Sequence, residues 1–219
     1  MERLEELYQN LKIYQDDNLY CFTSDAILLS KFAVAKAGDK VADFCSGSGV
    51  VGLHYYALNP NLKSLTLFEM QKPLYDLSVK TINYNGLGEK VEAINCKVQD
   101  ISKEFNEQFS LILCNPPYMT AGAGQTEEKQ EIAVCKSELT ITLAELISNV
   151  KRCLKFGGRF CMVHRADRLV DAISLMRQNG IEPKKLQMVS GGSKEPYLFL
   201  IEGVKGGKSG LKILKELSN

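Results

Sequence analysis

Apolar positions along the chain follow two periods. Lys40–Phe44, Ser64–Phe68, Val91–Asn95 and Phe109–Cys114 are short, nearly unbroken apolar runs and read as buried strands. Between and after them, Val50–Leu58, Lys72–Asn83 and Leu139–Leu154 place apolar residues three and four apart, as amphipathic helices do. Gly158–Val163 reads as a fifth strand and Arg168–Gln178 as a further helix, closed by Asn179 and Gly180. Lys185–Val189 and Tyr197–Ile201 then form a β pair joined through Ser190-Gly191-Gly192-Ser193, with no helical period between them. This alternation predicts an α/β fold. Its mostly parallel, seven-stranded sheet carries helices on both faces and an antiparallel C-terminal edge hairpin. Residues 1–39 read as an N-terminal helical segment ahead of a main domain at 40–219. Residues 119–138 show no period, and so long an irregular stretch inside a compact domain is usually functional or disordered.

With 219 residues, 45% hydrophobic and 24% charged, the chain suits one domain with a real core. Apolar stretches such as Ala26–Leu29 and Phe32–Ala35 are too short to span a membrane, which needs about 20 residues. The start, Met1-Glu2-Arg3-Leu4-Glu5-Glu6, is acidic where a signal peptide is basic and then apolar, so the expectation is a cytoplasmic protein. The cysteines at 21, 45, 96, 114, 135, 153 and 161 include no C-x-x-C pair and read as reduced thiols. His54 and His164 are too few for a histidine-rich site, so no metal is expected. The net charge of +1 hides an asymmetry. Residues 1–150 hold 13 cations and 20 anions, whereas residues 151–219 hold 14 and 6. A basic last third suggests an anionic partner; scattered solvated charge is the plainer alternative.

Two motifs carry chemistry. In Asp43-Phe44-Cys45-Ser46-Gly47-Ser48-Gly49 the strand ends at Asp43 and glycines open a helix, so that backbone N–H groups can approach a ligand. Glu69 follows at the tip of the next strand, where a carboxylate can accept both ribose hydroxyls of an adenosine. Asp100, after the third strand, can accept from an adenine amine or serve as the N-cap of the next turn. The second motif, Asn115-Pro116-Pro117-Tyr118, ends a buried strand. Its prolines surrender two donors and stiffen the chain beside an aromatic ring. The Asn115 oxygen and the Pro116 carbonyl can each accept one N–H of a planar amine, and Tyr118 can stack on that plane.

The pairing of D-x-x-x-G-x-G with N-P-P-Y resembles the Rossmann-like methyltransferases, dependent on S-adenosylmethionine, that methylate planar nitrogens. The run Gln15–Leu29, containing Thr23-Ser24-Asp25-Ala26-Ile27-Leu28-Leu29, is similar to the segment before the glycine loop in the bacterial tRNA1(Val) adenine-37 N6-methyltransferase family. Met162–Leu169 and Leu200–Lys208 resemble the Gram-positive branch of that family. The resemblance runs from about Leu11 to Leu214, and departs from the pattern at Ser24 and Cys45.

It implies S-adenosylmethionine as cofactor, held by Thr23, Asp25, Asp43, Gly47, Gly49, Glu69, Asp100 and Asn115, with residues 1–39 capping that site. It implies Asn115, Pro116 and Tyr118 as the catalytic grip on an adenine amine in RNA, most simply a tRNA. Arg165, Arg168, Lys205 and Lys208 would follow its phosphates, although surface solvation explains such cations equally well. No metal or covalent enzyme intermediate is required. A release-factor glutamine methyltransferase would use the same planar amide but is expected to carry an extra N-terminal domain. A DNA adenine methyltransferase is expected to carry a separate target-recognition domain. A non-catalytic binding module would have no need of Asn-Pro-Pro-Tyr.

Overall fold

The computed structural model describes residues 1–19, 24–117, 141–192 and 195–218. The chain opens with a hairpin, β1 (Glu2–Tyr8) and β2 (Leu11–Asp16), then α1 (Ser24–Phe32). Strand–helix units come next: β3 (Lys40–Phe44), α2 (Val50–Leu58), β4 (Ser64–Glu69), α3 (Lys72–Tyr84), β5 (Val91–Asn95), β6 (Phe109–Cys114), α4 (Leu143–Cys153), β7 (Leu154–Arg165) and α5 (Leu169–Gln178). The chain closes with β8 (Ile181–Ser190), β9 (Pro196–Lys205) and two short strands, β10 (Lys212–Ile213) and β11 (Leu217–Ser218).

Strands β3 to β9 are the seven expected ones. In the sheet, β10, β8, β9, β7, β6, β3, β4 and β5 lie side by side in that order. The five from β7 to β5 are mutually parallel, while β9 runs antiparallel to both β7 and β8. The antiparallel pair is not the very edge, because β10 and β11 add parallel pairings outside β8. Every residue of β6 is buried, as a central strand covered on both faces requires. One face packs on α4 and α5 and the other on the hairpin, α1 and α2. Helix α4 begins where a capping box places it. Thr142 accepts from Glu145 N–H while the Glu145 carboxylate accepts from Thr142 N–H. Residues 139 and 140, which the apolar period included, lie outside the described residues.

The N-terminal segment departs from expectation. Residues 2–16 form an antiparallel hairpin, and among the described residues of this segment only Ser24–Phe32 is helical. The turn residues Gln9 (φ 43°) and Asn10 (φ 71°) both adopt the left-handed conformation that a two-residue hairpin loop demands. Beyond the turn, Ile13 and Gln15 face inward at a period of two, which is a strand pattern. Neighbouring side chains occupy the hairpin's open edge: Tyr14 N–H donates to Thr81 Oγ1 (3.0 Å), and Asn85 exchanges two hydrogen bonds with the Lys12 backbone.

Candidate active site

The strand order turns back at β3, which has β4 on one side and β6 on the other, and ligands of open parallel sheets bind outside the carboxyl ends at such a point. Three carboxyl ends therefore converge there: Asp43 of β3, Glu69 of β4 and Asn115 just past β6. The register pairs Phe44 with both Phe68 and Cys114, so the ends are level.

The loop between β3 and α2 carries three left-handed residues, Cys45 (φ 58°), Gly47 (φ 57°) and Gly49 (φ 90°). A Cβ on Gly49 would come within 2.9 Å of Leu67, whereas one on Gly47 would meet nothing within 4 Å. Gly49 is thus glycine for packing as well as for φ, while Gly47 leaves open space above the loop. The N-cap of α2, Gly49, offers no side-chain acceptor to the helix's first turn. The Ser46 hydroxyl is buried with no hydrogen-bond partner among the described residues.

Both acids serve the loop. Asp43 Oδ2 accepts from Gly52 N–H at 2.8 Å, which fixes the first turn of α2 against β3. Its Oδ1 is buried without a partner among the described residues. Burial, reinforced by the neighbouring Glu69 and opposed by the Gly52 bond, pushes the Asp43 carboxyl up to about 8. Glu69, 4% exposed, accepts from Gly47 N–H through Oε2 (2.7 Å) and from Gln71 N–H through Oε1 (2.8 Å). Burial raises its pKa, and N–H donors from Gln71, Gly47 and Met70 oppose the shift. Asn95, at the end of β5, donates to the carbonyls of Glu69 and Met70, locking the tip of β4.

Asp100 is exposed, in a 3-10 turn after β5, and it is Ser102, not Asp100, that caps the next turn. Asn115 and Pro117 are half-buried and Pro116 is buried. Thr23 and Tyr118, expected at the cofactor and at the base, lie outside the described residues. Asp25, in the first turn of α1, lines a cleft of about 500 Å³ together with Arg165, Asp167, Pro196, Tyr197 and Leu198.

The basic residues separate into two groups. Arg165 ends β7 on the site's edge of the sheet and pairs with Asp167, while Arg168 pairs with Asp171. Lys205 and Lys208 lie at the opposite edge, because β9 runs antiparallel to β7 and pairs Val204 with Arg159 at that strand's start. Lys205 Nζ donates to the carbonyls of Lys151 and Leu154 and pairs with Glu107. It thus caps the C-terminus of α4, where the helix dipole favours a cation. Lys205 and Lys208, expected to track phosphates, are thus carried by the antiparallel return to the side opposite the strands' carboxyl ends.

Sequence reading missed two contributors. Gln15, on the hairpin, donates to Ser48 Oγ of the glycine loop at 2.6 Å. Its signal was a polar residue at an inward position of a period-two run. Tyr197 stands 44% exposed at the cleft.

The methyltransferase small domain family matches residues 22–179, which hold the glycine loop, Glu69 and Asn-Pro-Pro-Tyr. The chain belongs to that family. It is 23% identical over 176 residues to a tRNA1(Val) (adenine(37)-N6)-methyltransferase of Shewanella putrefaciens, covering 78% of this chain and 72% of that one. It is 22% identical over 174 residues to the protein of that name from Pseudoalteromonas translucida, covering 80% and 72%. Among solved structures it resembles the tRNA m1G37 methyltransferase of M. jannaschii, with TM-score 0.66 and 15% identity over 94% of this chain and 55% of that one. It also resembles geranyl diphosphate C-methyltransferase from Streptomyces coelicolor, with TM-score 0.59 and 13% identity over 83% and 78%. These likenesses confirm the Rossmann-like fold of this methyltransferase. Among the described residues no group of three or more His, Cys, Asp or Glu could hold a metal, and no helix is long and apolar enough to cross a membrane.

Proposed function

We propose that this methyltransferase uses S-adenosylmethionine to methylate N6 of an adenine in tRNA. The observation that carries the reading is Asn115-Pro116 at the end of β6, level with the glycine loop and Glu69 where the strand order turns back. The names of the relatives support the substrate, and the Streptomyces structure, which contains S-adenosyl-L-homocysteine, supports the cofactor class.

The residues present fit that cofactor. The space above Gly47 and the buried Ser46 hydroxyl, beside the start of α2, form a polar cradle with unspent hydrogen-bonding capacity. Glu69 would accept ribose hydroxyls, Asp100 the adenine amine, and Asp25, with Thr23, would lie toward the methionine end. When bound, S-adenosylmethionine supplies a methyl group activated on a sulfonium.

The protein's part is position. An aromatic NH2 is a weak nucleophile because its lone pair is delocalised into the ring. The Asn115 oxygen and the Pro116 carbonyl would each accept one of its hydrogens, favouring a pyramidal nitrogen whose lone pair faces the methyl. Pro116 and Pro117 hold those acceptors in place, because neither peptide can swing its φ. The RNA would enter over the cleft beside Arg165, and Tyr118 would stack on the splayed base.

The test supplies labelled cofactor to tRNA from a deletion strain and, separately, to purified release factor. Label in N6-methyladenosine of tRNA, lost on Asn115→Ala, upholds the reading; label in protein alone sinks it.

A further inference from the structure

Gln15 is the most deeply buried uncharged polar side chain of the hairpin, 1% exposed, at a position where strand period favours an apolar residue. Burying an amide is unfavourable unless its hydrogen bonds are made. Gln15 Nε2 makes two, to the Tyr14 carbonyl (3.0 Å) and to Ser48 Oγ (2.6 Å). Ser48 is itself 5% exposed and stands between Gly47 and Gly49, the two left-handed glycines of the loop.

A turn built on two glycines has wide conformational freedom and needs ties from outside to hold one shape. The sheet ties its first half, through Ser46 N–H to the Phe68 carbonyl and Gly47 N–H to Glu69. The second half is tied from the other side, by Gln15. The strand bearing Gln15 is a firm anchor. Ile13 is fully buried, Tyr14 N–H is held by Thr81, and Lys12 exchanges two bonds with Asn85.

We propose that Gln15 is a positioning residue for the cofactor loop. By holding Ser48 it fixes the Gly47–Gly49 turn in its receptive shape, and it couples that turn to the hairpin that leads on to α1 and Asp25. The proposal rests on reading the loop as the S-adenosylmethionine site.

Calorimetric binding of S-adenosylmethionine and thermal melts would be compared for the wild-type chain, Gln15→Leu, Ser48→Ala and the double variant. Each single change should weaken binding about ten-fold, the scale of one buried hydrogen bond lost with its partner left unsatisfied. The double should bind no more weakly than the worse single, because both remove the same bond. It should recover part of the lost melting temperature, since neither partner is then left buried and unpaired, yet not the affinity. A purely structural contact would lower the melting temperature and leave the affinity of the folded protein alone. Affinity within about two-fold of wild type in either folded single variant overturns the proposal. If Gln15→Leu does not fold, Ser48→Ala decides alone. A wild-type chain that takes up no S-adenosylmethionine overturns the cofactor reading and this proposal with it; unchanged variants of a binding wild type overturn the proposal only.

Discussion

Replacing Asp43 with Asn should make the protein's stability less dependent on pH above neutrality. Asp43 is fully buried, one oxygen accepts from Gly52 N–H, and the other has no partner among the described residues, an arrangement that suits a protonated carboxyl. Its pKa is raised from 3.8 to about 8, first by burial and then by Glu69, against the Gly52 bond. The folded state therefore holds a proton that the unfolded chain has already released. Stability from this group is complete below the unfolded value and drains away as pH rises toward the folded one. Between pH 7 and 8 the slope is about 1.4 kcal/mol per pH unit while the folded group stays protonated, and it flattens as that group begins to ionise. Asn is isosteric, keeps an acceptor for Gly52 N–H and does not titrate. Urea titrations of both proteins at pH 7, 7.5 and 8 give the difference in unfolding free energy at each pH, from which groups common to both cancel. That difference should move in favour of the Asp43→Asn variant by about 1 kcal/mol across the range. A difference that stays flat, or moves the other way, refutes a protonated Asp43.

Substituting Lys205 with Met should lower the melting temperature by removing the cap on α4, while RNA affinity stays within about two-fold, as filter binding would show; a steep loss of RNA affinity would return Lys205 to the interface. Buried His164, stacked on Phe199, has its pKa pushed down to about 4 by burial and by Arg168. A depressed histidine contributes stability above its unfolded value, and that contribution is lost as pH falls from about 6.5 toward 4, an effect on the order of 3 kcal/mol. His164→Asn, which keeps an acceptor for Arg165 N–H, should remove most of that acid sensitivity in melts, and an unchanged pH profile counts against the neutral imidazole. Tyr197→Ala should raise the KM for tRNA by roughly five- to ten-fold if the cleft takes a neighbouring base, with Tyr197→Phe near wild type; equal KM values for all three exclude stacking there.

What was legible in the sequence was whatever local pattern encodes. Strands β3 to β9 stem from short runs rich in apolar residues, and Gly47, Glu69 and Asn115 from their places at strand ends. The hairpin was not legible as such, because its inward face is completed by a glutamine. Gln15 interrupts the apolar alternation that would have marked a strand, and its reason for being polar lies 33 residues away at Ser48. Charge was the poorest guide. Counting cations in residues 151–219 treats them as one surface. The fold commits Arg159 to a buried pair with Asp39, Lys185 to Glu202 and Lys205 to the end of α4. A count along the chain cannot see that β9 runs back across the sheet.

The same consideration changes what Glu69 means. Read from sequence, it is a ribose acceptor at the right distance from a glycine loop. In the fold its carboxylate already accepts the backbone N–H groups of Gly47 and Gln71, two of the roughly four acceptor sites that a carboxylate offers. The two sites that remain match the two hydroxyls of a ribose, so a nucleoside could be received with both backbone contacts kept. On this reasoning the acid that would recognise the nucleoside is also the latch on the loop that receives it. A cofactor arriving there would add its hydrogen bonds to those that already shape the loop, and the tie from Gln15 to Ser48 would hold the far half of the turn as it does so.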